Sequence, residues 1–417
     1  MQGLQIRGGR PLSGSVRVQA AKNSVLPILA AALLCADVCV IPNCPDLTDV
    51  RSAVDILREL GCAVERSGAC LTVDARRVCR CAVPRNLMRE MRSSILFLGA
   101  MLGRCGEAEL SLPGGCALGP RPIDLHLSAL RAMGAEVDEG CGTLLCRGRL
   151  RGAELSLPFP SVGATENVMI AACAAEGTTV LNNAAREPEI VDLQNFLRAM
   201  GADVEGAGSS VVVIRGGRPL HGAEHRVIPD RIAAATYLCT VAATGGRVRL
   251  ENVQRSTLRP VLEALSQAGC TLSGDEEHIV LSSTGVLEGL PTVRTAPYPG
   301  FPTDAQPLLM AALCRSRGVS VFVENLFEDR YRQAMQLRRM GADIRVEGRV
   351  AVVCGVRELH GARMCAPDLR GGAALVTAAL CATGESLITG VHHLDRGYER
   401  LEEDLRGLGA DLHRVRV

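Results

Sequence analysis

Six times along the chain a leucine-bearing helix end runs into a glycine followed by a small residue. The copies are LRELGCAV at Gly61, LRAMGAEV at Gly134, LRAMGADV at Gly201, LSQAGCTL at Gly269, LRRMGADI at Gly341 and LRGLGADL at Gly409. Their spacings of 73, 67, 68, 72 and 68 residues mark repeated supersecondary units, and six such units account for all 417 residues.

Within a unit the order of segments repeats as well. A short strand such as RPLSGSVRV or RPLHGAEHRV comes first, then an apolar helix, then a strand of the type VRLEN or VFVEN. A charged helix ends at the glycine, which suits a C′ cap, and one or two alternating strands close the unit. The two helix types differ: VRSAVDILREL and its copies are amphipathic, whereas VLPILAAALL, ILFLGAMLG, VMIAACAA, IAAATYLCTVAA, PLLMAALC and ALVTAALCA are apolar nearly all round and so belong in a core. The sequence predicts an α/β protein of two pseudo-equivalent domains, each of three units with buried central helices and outer sheets. The cut falls near Pro229, giving residues 21–229 as one domain and 1–20 plus 230–417 as the other, with the N-terminal strand pairing in the second.

Composition removes several function classes. Lys+Arg 46 against Asp+Glu 45 leaves a net charge of +1, aromatics are 2% and Trp is absent, so there is neither a basic footprint nor a stacking platform for nucleic acid. The apolar run Val25–Ala36 is too short to span a membrane and has counterparts in the other units, so no membrane association is expected. Of eighteen cysteines, Cys35, Cys173, Cys239, Cys314 and Cys381 lie in apolar runs as small hydrophobes, and no C-x-x-C pair offers zinc-ligand spacing. His392 and His393 stand isolated. The expectation is a reduced, cytoplasmic protein with no metal.

The chemistry concentrates just before each apolar helix. AKNS at Lys22, MRSS at Arg92, GATEN at Thr165, PDRI at Arg231, PTDAQ at Asp304 and PDLR at Arg370 follow one another at 70, 73, 66, 73 and 66 residues, so they read as one position in six units. A helix start carries unpaired N–H groups and the positive end of the dipole, yet four of the six bear Lys or Arg. Cations there make sense if anions such as phosphates bind between them, as they would where two domains face each other with these ends inward. Lys22 is the only lysine, the other basic residues all being arginine; a compact ammonium and a guanidinium are not interchangeable in a small space. Asp304 follows a stiff loop, RTAPYPGFP, and would otherwise be read as an N-cap.

The loop Pro113–His126, PGGCALGPRPIDLH, has no hydrophobic period, and its glycines allow close approach to a ligand. Cys116 lies between glycines rather than in an apolar run. Beside Lys22, Arg92 and Arg121 its thiol would shift toward thiolate, which makes the loop a candidate lid. In HHLDRGYER, Arg396 and Tyr398 fall in a turn after the last apolar helix, and Asp395 is free to pair with Arg396.

These segments, AKNSVLP, MRSSI, LPGGCALGPRPIDLH, SVGATEN, AAREPEIVD, FPTDAQ, ENLFEDR, PDLR and HLDRGYER, run in that order through the whole chain. Together they resemble the enolpyruvyl transferase family, on the side whose acceptor is UDP-N-acetylglucosamine. The resemblance implies the family's two-domain, inside-out barrel with the active site in the cleft. It also implies the first committed step of peptidoglycan synthesis: the 1-carboxyvinyl group of phosphoenolpyruvate passes to the 3′-hydroxyl of the sugar, releasing phosphate, without metal or organic cofactor. Carried onto this sequence, Lys22, Asn23, Arg121 and Arg396 would hold phosphoenolpyruvate. Asn23, Arg92, Arg121, Pro122, Ile123, Asp124, Leu125, Ser161, Val162, Gly163, Asp304 and Leu326 would hold the nucleotide sugar. Asp304 would be the general base and Cys116 the proton donor, with Lys22 acting on phosphoenolpyruvate; Arg231, Arg330, Asp368 and Arg370 would support the wall.

Two other readings remain open on sequence grounds. One is the shikimate branch of the family, which lacks the cysteine loop and usually has Ser-Lys-Ser where this chain has Lys22-Asn23. The other is a non-catalytic nucleotide-sugar binder. One departure stands out: many members carry a lysine two residues before Ser-Val-Gly, and here that position is Phe159, one cation fewer near the nucleotide phosphates.

Overall fold

A computed structural model describes residues 2–111, 123–140 and 142–417. The six glycine steps are built alike. Gly61, Gly134, Gly201, Gly269, Gly341 and Gly409 all have φ between 94° and 103°, a left-handed conformation that costs glycine nothing and any other residue something. In each, the glycine N–H bonds to a carbonyl three residues back, and the following N–H reaches a leucine carbonyl five back. Gly61 to Arg58 and Cys62 to Leu57, both 3.0 Å, are one instance; Gly409 to Arg406 (2.9 Å) and Ala410 to Leu405 (3.0 Å) are another. This double bond satisfies the last carbonyls of the helix and buries the leucine against the residue after the glycine.

Each unit forms one small sheet around one apolar helix. In the second unit, strand Ala82–Val83 precedes helix Phe97–Cys105, strand Glu107–Ser111 follows it, and after helix Asp124–Ala132 come strands Glu136–Gly140 and Thr143–Arg147. The first two strands pair in parallel, Ala82 opposite Glu109, and the other contacts are antiparallel. The same order, opening strand, post-helix strand, last strand, third strand, holds in five four-stranded sheets. The first unit has only three strands, and its opening-strand place is taken by a single parallel bridge, Val40 to Glu224.

The chain divides into two compact units, one containing Gln19 and all before it with Pro229–Val417, the other the described residues from Ala20 to Ile228. The N-terminal pair of strands belongs to the former. Leu12–Arg17 runs parallel to Gly246–Glu251 as the opening strand of the fourth unit, and Gln2–Arg7 lies between Glu385–Thr389 and Asp411–Arg416 in the sixth. Each unit has its own core, assembled on three apolar helices: Lys22–Ala31, Phe97–Cys105 and Val162–Ala174 in one, Arg231–Thr244, Gln306–Leu313 and Leu369–Cys381 in the other. Leu369–Cys381 is buried at every residue. The helices come close: a methyl on Gly99 would meet the Asn167 Oδ1 at 2.3 Å, so only glycine fits where Phe97–Cys105 crosses Val162–Ala174. The fold is the α/β arrangement of central helices and outer sheets that the repeats imply.

The apolar-run cysteines pack as hydrophobes, with burial raising the thiols of Cys173 to about 12 and Cys381 to about 11. Cys35 differs: its sulfur lies 3.7 Å from that of Cys39, and this contact lowers it to about 7. No disulfide joins any of the sixteen described cysteines.

Candidate functional site

The six aligned positions are not all the same helical position. Lys22 and Arg231 are the first residues of their helices, and Arg92 opens a 3-10 turn, Arg92–Leu96, that leads into the next. Thr165 lies inside a helix that begins at Val162, because Ser161 is the cap and accepts a bond from the Ala164 N–H at 3.4 Å. Asp304 precedes its helix, Gln306–Leu313, and is not its cap. Arg231 and Arg370 also come with ordinary acidic caps. Asp230 Oδ1 accepts from Ile232 and Ala233 N–H at 2.8 and 2.9 Å, and Asp368 Oδ1 from Arg370 and Gly371 N–H at 3.0 and 2.9 Å. At those two starts the capping acid offsets the cation, so the electrostatic anomaly inferred from sequence belongs to Lys22 and Arg92, whose preceding residues make no side-chain cap bond.

In the unit from Ala20 to Ile228, Lys22 Nζ lies 2.7 Å from Asp49 Oδ2, with the two side chains only 12% and 3% exposed. Asp49 sits in the first turn of amphipathic helix Thr48–Glu59, where an acid is ordinarily explained by the dipole. That bland explanation hid it from sequence reasoning. The buried carboxylate fixes where the ammonium points. Asn23 follows on the same helix, half-buried, and Ser24 beyond it donates to buried Asp192, which also bonds His225 Nε2 at 2.8 Å.

Ile123, Asp124 and Leu125 lead into helix Asp124–Ala132, with Asp124 exposed in its first turn. Next comes His126, only 7% exposed. Asn167 Oδ1 accepts from the Gly99 N–H at 2.7 Å, so its Nδ2 must be the group that donates to Ile95 O at 3.1 Å and to His126 Nδ1 at 3.0 Å. The imidazole is therefore neutral, with its proton on Nε2, and a methyl on Gly163 would lie 3.2 to 3.4 Å from the ring. Ser161, Val162 and Gly163 thus turn into their helix against this histidine. Phe159 stays exposed at 44%. Cys116, Arg121 and Pro122 lie outside the described residues.

Burial, and secondarily the charge of Arg92, lowers His126 to about 4. An unfolded histidine titrates near 6.5, so between those values the unfolded chain binds the extra proton and stability rises with pH. The contribution is complete above the unfolded value and is lost as pH falls toward 4, on the order of 3 kcal/mol in all. Urea unfolding at pH 7 and pH 5 checks this: His126→Gln, which keeps an acceptor for Asn167, loses less stability over that interval than the unaltered chain. Equal losses would show that His126 is not the titrating group.

The other unit gathers the acid and its partners. Arg330, 2% exposed, donates from Nη2 to Asp304 Oδ1 at 2.7 Å and from Nε and Nη2 to Thr303 O at 3.1 and 3.0 Å. Arg370, 3% exposed, donates from Nε to Asp304 Oδ2 at 3.1 Å. Each carboxylate oxygen therefore faces its own guanidinium, and the acid keeps partial exposure of 28%. Thr303 also donates to buried Glu324 at 3.0 Å, whose other oxygen accepts the N–H of Leu326 and Phe327 at 2.9 and 3.1 Å. Leu326 is thus held on the Asp304 loop, and Glu324 is a second residue that sequence reasoning missed. Arg231 stands over the Tyr298 ring at 5.7 Å. Arg396 ends the 3-10 turn Val391–Arg396, and Asp395 beside it pairs with Arg414 rather than with Arg396. Burial disfavours the charge of Arg370, but Tyr398, Asp304 and Asp230 outweigh this and hold its pKa above the ordinary guanidinium value. Among the described residues no group of three or more His, Cys, Asp or Glu is placed to hold a metal ion.

One unit thus offers a buried ammonium to anions, and the other holds a part-exposed carboxylate between two buried guanidiniums. Comparison with known proteins fits such chemistry. The family described as EPSP synthase (3-phosphoshikimate 1-carboxyvinyltransferase) matches residues 6–405. A protein of Caldanaerobacter subterraneus subsp. tengcongensis named UDP-N-acetylglucosamine 1-carboxyvinyltransferase 2 is 49% identical over 99% of both chains. One of Zymomonas mobilis named UDP-N-acetylglucosamine 1-carboxyvinyltransferase is 50% identical over 100% of both. Among solved structures, the enolpyruvyl transferase NikO from Streptomyces tendae superposes with a TM-score of 0.89 at 28% identity, covering 99% of this chain and 98% of its own. EPSP synthase from Acinetobacter baumannii, at 21% identity and a TM-score of 0.78 over 100% of both chains, shares the fold. With six phased units, a carboxylate clamped by two arginines and full-length likeness to these proteins, the chain belongs to the enolpyruvyl transferase family, among the UDP-N-acetylglucosamine 1-carboxyvinyltransferases.

Proposed function

We propose that the protein transfers the 1-carboxyvinyl group of phosphoenolpyruvate to the 3′-hydroxyl of UDP-N-acetylglucosamine and releases phosphate, drawing on residues of both units. The observation that carries this reading is Asp304, whose two oxygens are each held by a buried guanidinium. A carboxylate so stabilised is a weak base at rest. It takes the hydroxyl proton as the new C–O bond forms and that proton becomes acidic, which suits addition to the double bond better than prior ionisation. Lys22, Asn23, Arg121 and Arg396 hold phosphoenolpyruvate, and the cations offset charge that grows on its carboxylate and phosphate through the tetrahedral ketal. Cys116 supplies the proton to the methylene carbon and recovers it on elimination. Arg92, the run from Arg121 to Leu125, Ser161, Val162, Gly163 and Leu326 hold the nucleotide sugar, with the stretch from Pro113 up to helix Asp124–Ala132 as the lid that excludes water; the lid read from sequence runs on to His126, which is buried in the first turn of that helix.

The product feeds peptidoglycan synthesis, and so cell shape and division. A cytoplasmic setting goes with this reading, since the cysteines of the apolar runs serve as packing residues, as they do in a reducing compartment.

The test is phosphate release with each substrate alone and with both together. Release should require both, and shikimate 3-phosphate should not replace the nucleotide sugar; release with shikimate 3-phosphate would move the protein to the other branch, and sugar binding without release would make it a binder. In the same assay Cys116→Ser should lose most turnover while Cys173→Ser, a 2% exposed packing thiol, should keep it.

A further inference from the structure

Behind the Asp304 clamp lies a second layer whose hydrogen bonds have a fixed direction. Tyr398 is 3% exposed and its hydroxyl lies 3.3 Å from Arg370 Nη1 and 2.8 Å from Thr236 Oγ1. A guanidinium can only donate, so Tyr398 accepts from Arg370 and its own proton is left for Thr236. Thr236 can take it because its proton is directed to Ile232 O at 2.9 Å. The Arg370 guanidinium also stands 5.6 Å from the centroid of the Tyr398 ring. One polarity therefore runs from Arg370 through Tyr398 and Thr236 into helix Arg231–Thr244, while the opposite side of the same guanidinium, Nε, faces Asp304 Oδ2 at 3.1 Å. Burial raises the pKa of Tyr398 against the opposing pull of Arg370 and Thr236, so it stays a phenol and an acceptor.

We propose that Tyr398, with Thr236 behind it, is a positioning residue for the reaction: it holds the rotation of Arg370 about its long side chain, and through Arg370 aims the Asp304 carboxylate. Arginine has many rotamers and loses entropy when fixed, and a misaimed base costs rate more than binding. This rests on the reading of Asp304 as the base.

The test is a double-mutant cycle on steady-state turnover. Tyr398→Phe should lower kcat about ten-fold, the scale of one hydrogen bond to a charged group, with KM for the nucleotide sugar little changed. In an Arg370→Lys background, where there is no fork left to orient, the same substitution should cost less than about two-fold. Tyr237→Phe is the control. It is an equally buried tyrosine, next to Thr236 in helix Arg231–Thr244, whose hydroxyl donates to Asp404 at 2.7 Å, and it should leave kcat unchanged. A ten-fold loss in both backgrounds, or an equal loss from Tyr237→Phe, would mean a packing role only and overturn the proposal, as would no loss in the unaltered background. Should Tyr398→Phe not fold, Thr236→Val reads the same link: a fall in kcat that Thr236→Ser does not share supports it, and equal behaviour of the two overturns it. Failure of the proposed reaction itself would show differently, as no two-substrate phosphate release from the unaltered enzyme.

Discussion

Lys22→Met is expected to lower turnover at least about a thousand-fold, more than the loss of a single oxyanion donor. The reason is the position of the ammonium. It is the only lysine, it opens a central helix with no side-chain cap before it, and its Nζ is fixed at 2.7 Å from Asp49 Oδ2 in a place almost closed to solvent. A point charge so held is available to an anion without reorganisation. Stability suffers as well, because methionine takes the ammonium away from the buried Asp49 carboxylate, a change that costs about 3 kcal/mol or more. The two effects separate in the double variant Lys22→Met with Asp49→Leu. Denaturant midpoints should recover in the double variant, since an apolar pair replaces the ion pair, while phosphate release stays absent. Recovery of turnover along with stability would show that Lys22 serves the fold alone.

The second large effect is at Asp304. Asp304→Ala removes the one carboxylate shared by Arg330 and Arg370, leaving two guanidiniums of 2% and 3% exposure facing each other. Breaking a buried charge pair in this way costs about 3–5 kcal/mol, and turnover should fall by about a hundred-fold or more with the base gone. Asp304→Asn keeps the shape and one acceptor oxygen, so it should unfold nearer the unaltered midpoint yet remain about as inactive as the alanine variant. The comparison needs only urea unfolding and the two-substrate assay on both variants. An asparagine variant with near-normal turnover would remove Asp304 from the chemistry and leave it a structural clamp.

What could be read from the chain depended on whether a residue's neighbours were near in sequence. The six glycines were legible because a left-handed C′ position is a local demand, satisfied within eight residues at every copy. The apolar helices were legible because burial on every side leaves no polar stripe. Asp49 was not, because an acid in the first turn of a surface-type helix already has a local explanation and its real partner is 27 residues earlier. Glu324 likewise looks like an ordinary charge in ENLFEDR, and Arg330 in the same stretch is marked out only by the family resemblance; tertiary structure turns both inward, Glu324 onto Thr303 and Arg330 onto Thr303 and Asp304. Reading six helix starts as equivalent was correct for the unit and too coarse for the residue. Ser161 moved one helix start upstream of Thr165, and Asp230 and Asp368 supplied caps that the cations alone did not reveal.

The pairing of strands Gln2–Arg7 and Leu12–Arg17 with far later segments has a consequence for synthesis. Gln2–Arg7 and Leu12–Arg17 are made before the strands they pair with, Glu385–Thr389 with Asp411–Arg416, and Gly246–Glu251. On a ribosome adding residues at about 5–20 per second, the chain from Ala20 to Ile228 has its own strands and core to hand before Gly246–Glu251 is made and well before Glu385–Thr389 and Asp411–Arg416 are. These two strands must therefore wait for their partners while the middle of the chain folds. Leu4, Ile6, Leu12 and Val16, each no more than 3% exposed in the finished protein, are apolar side chains that a nascent-chain chaperone would meet in that interval.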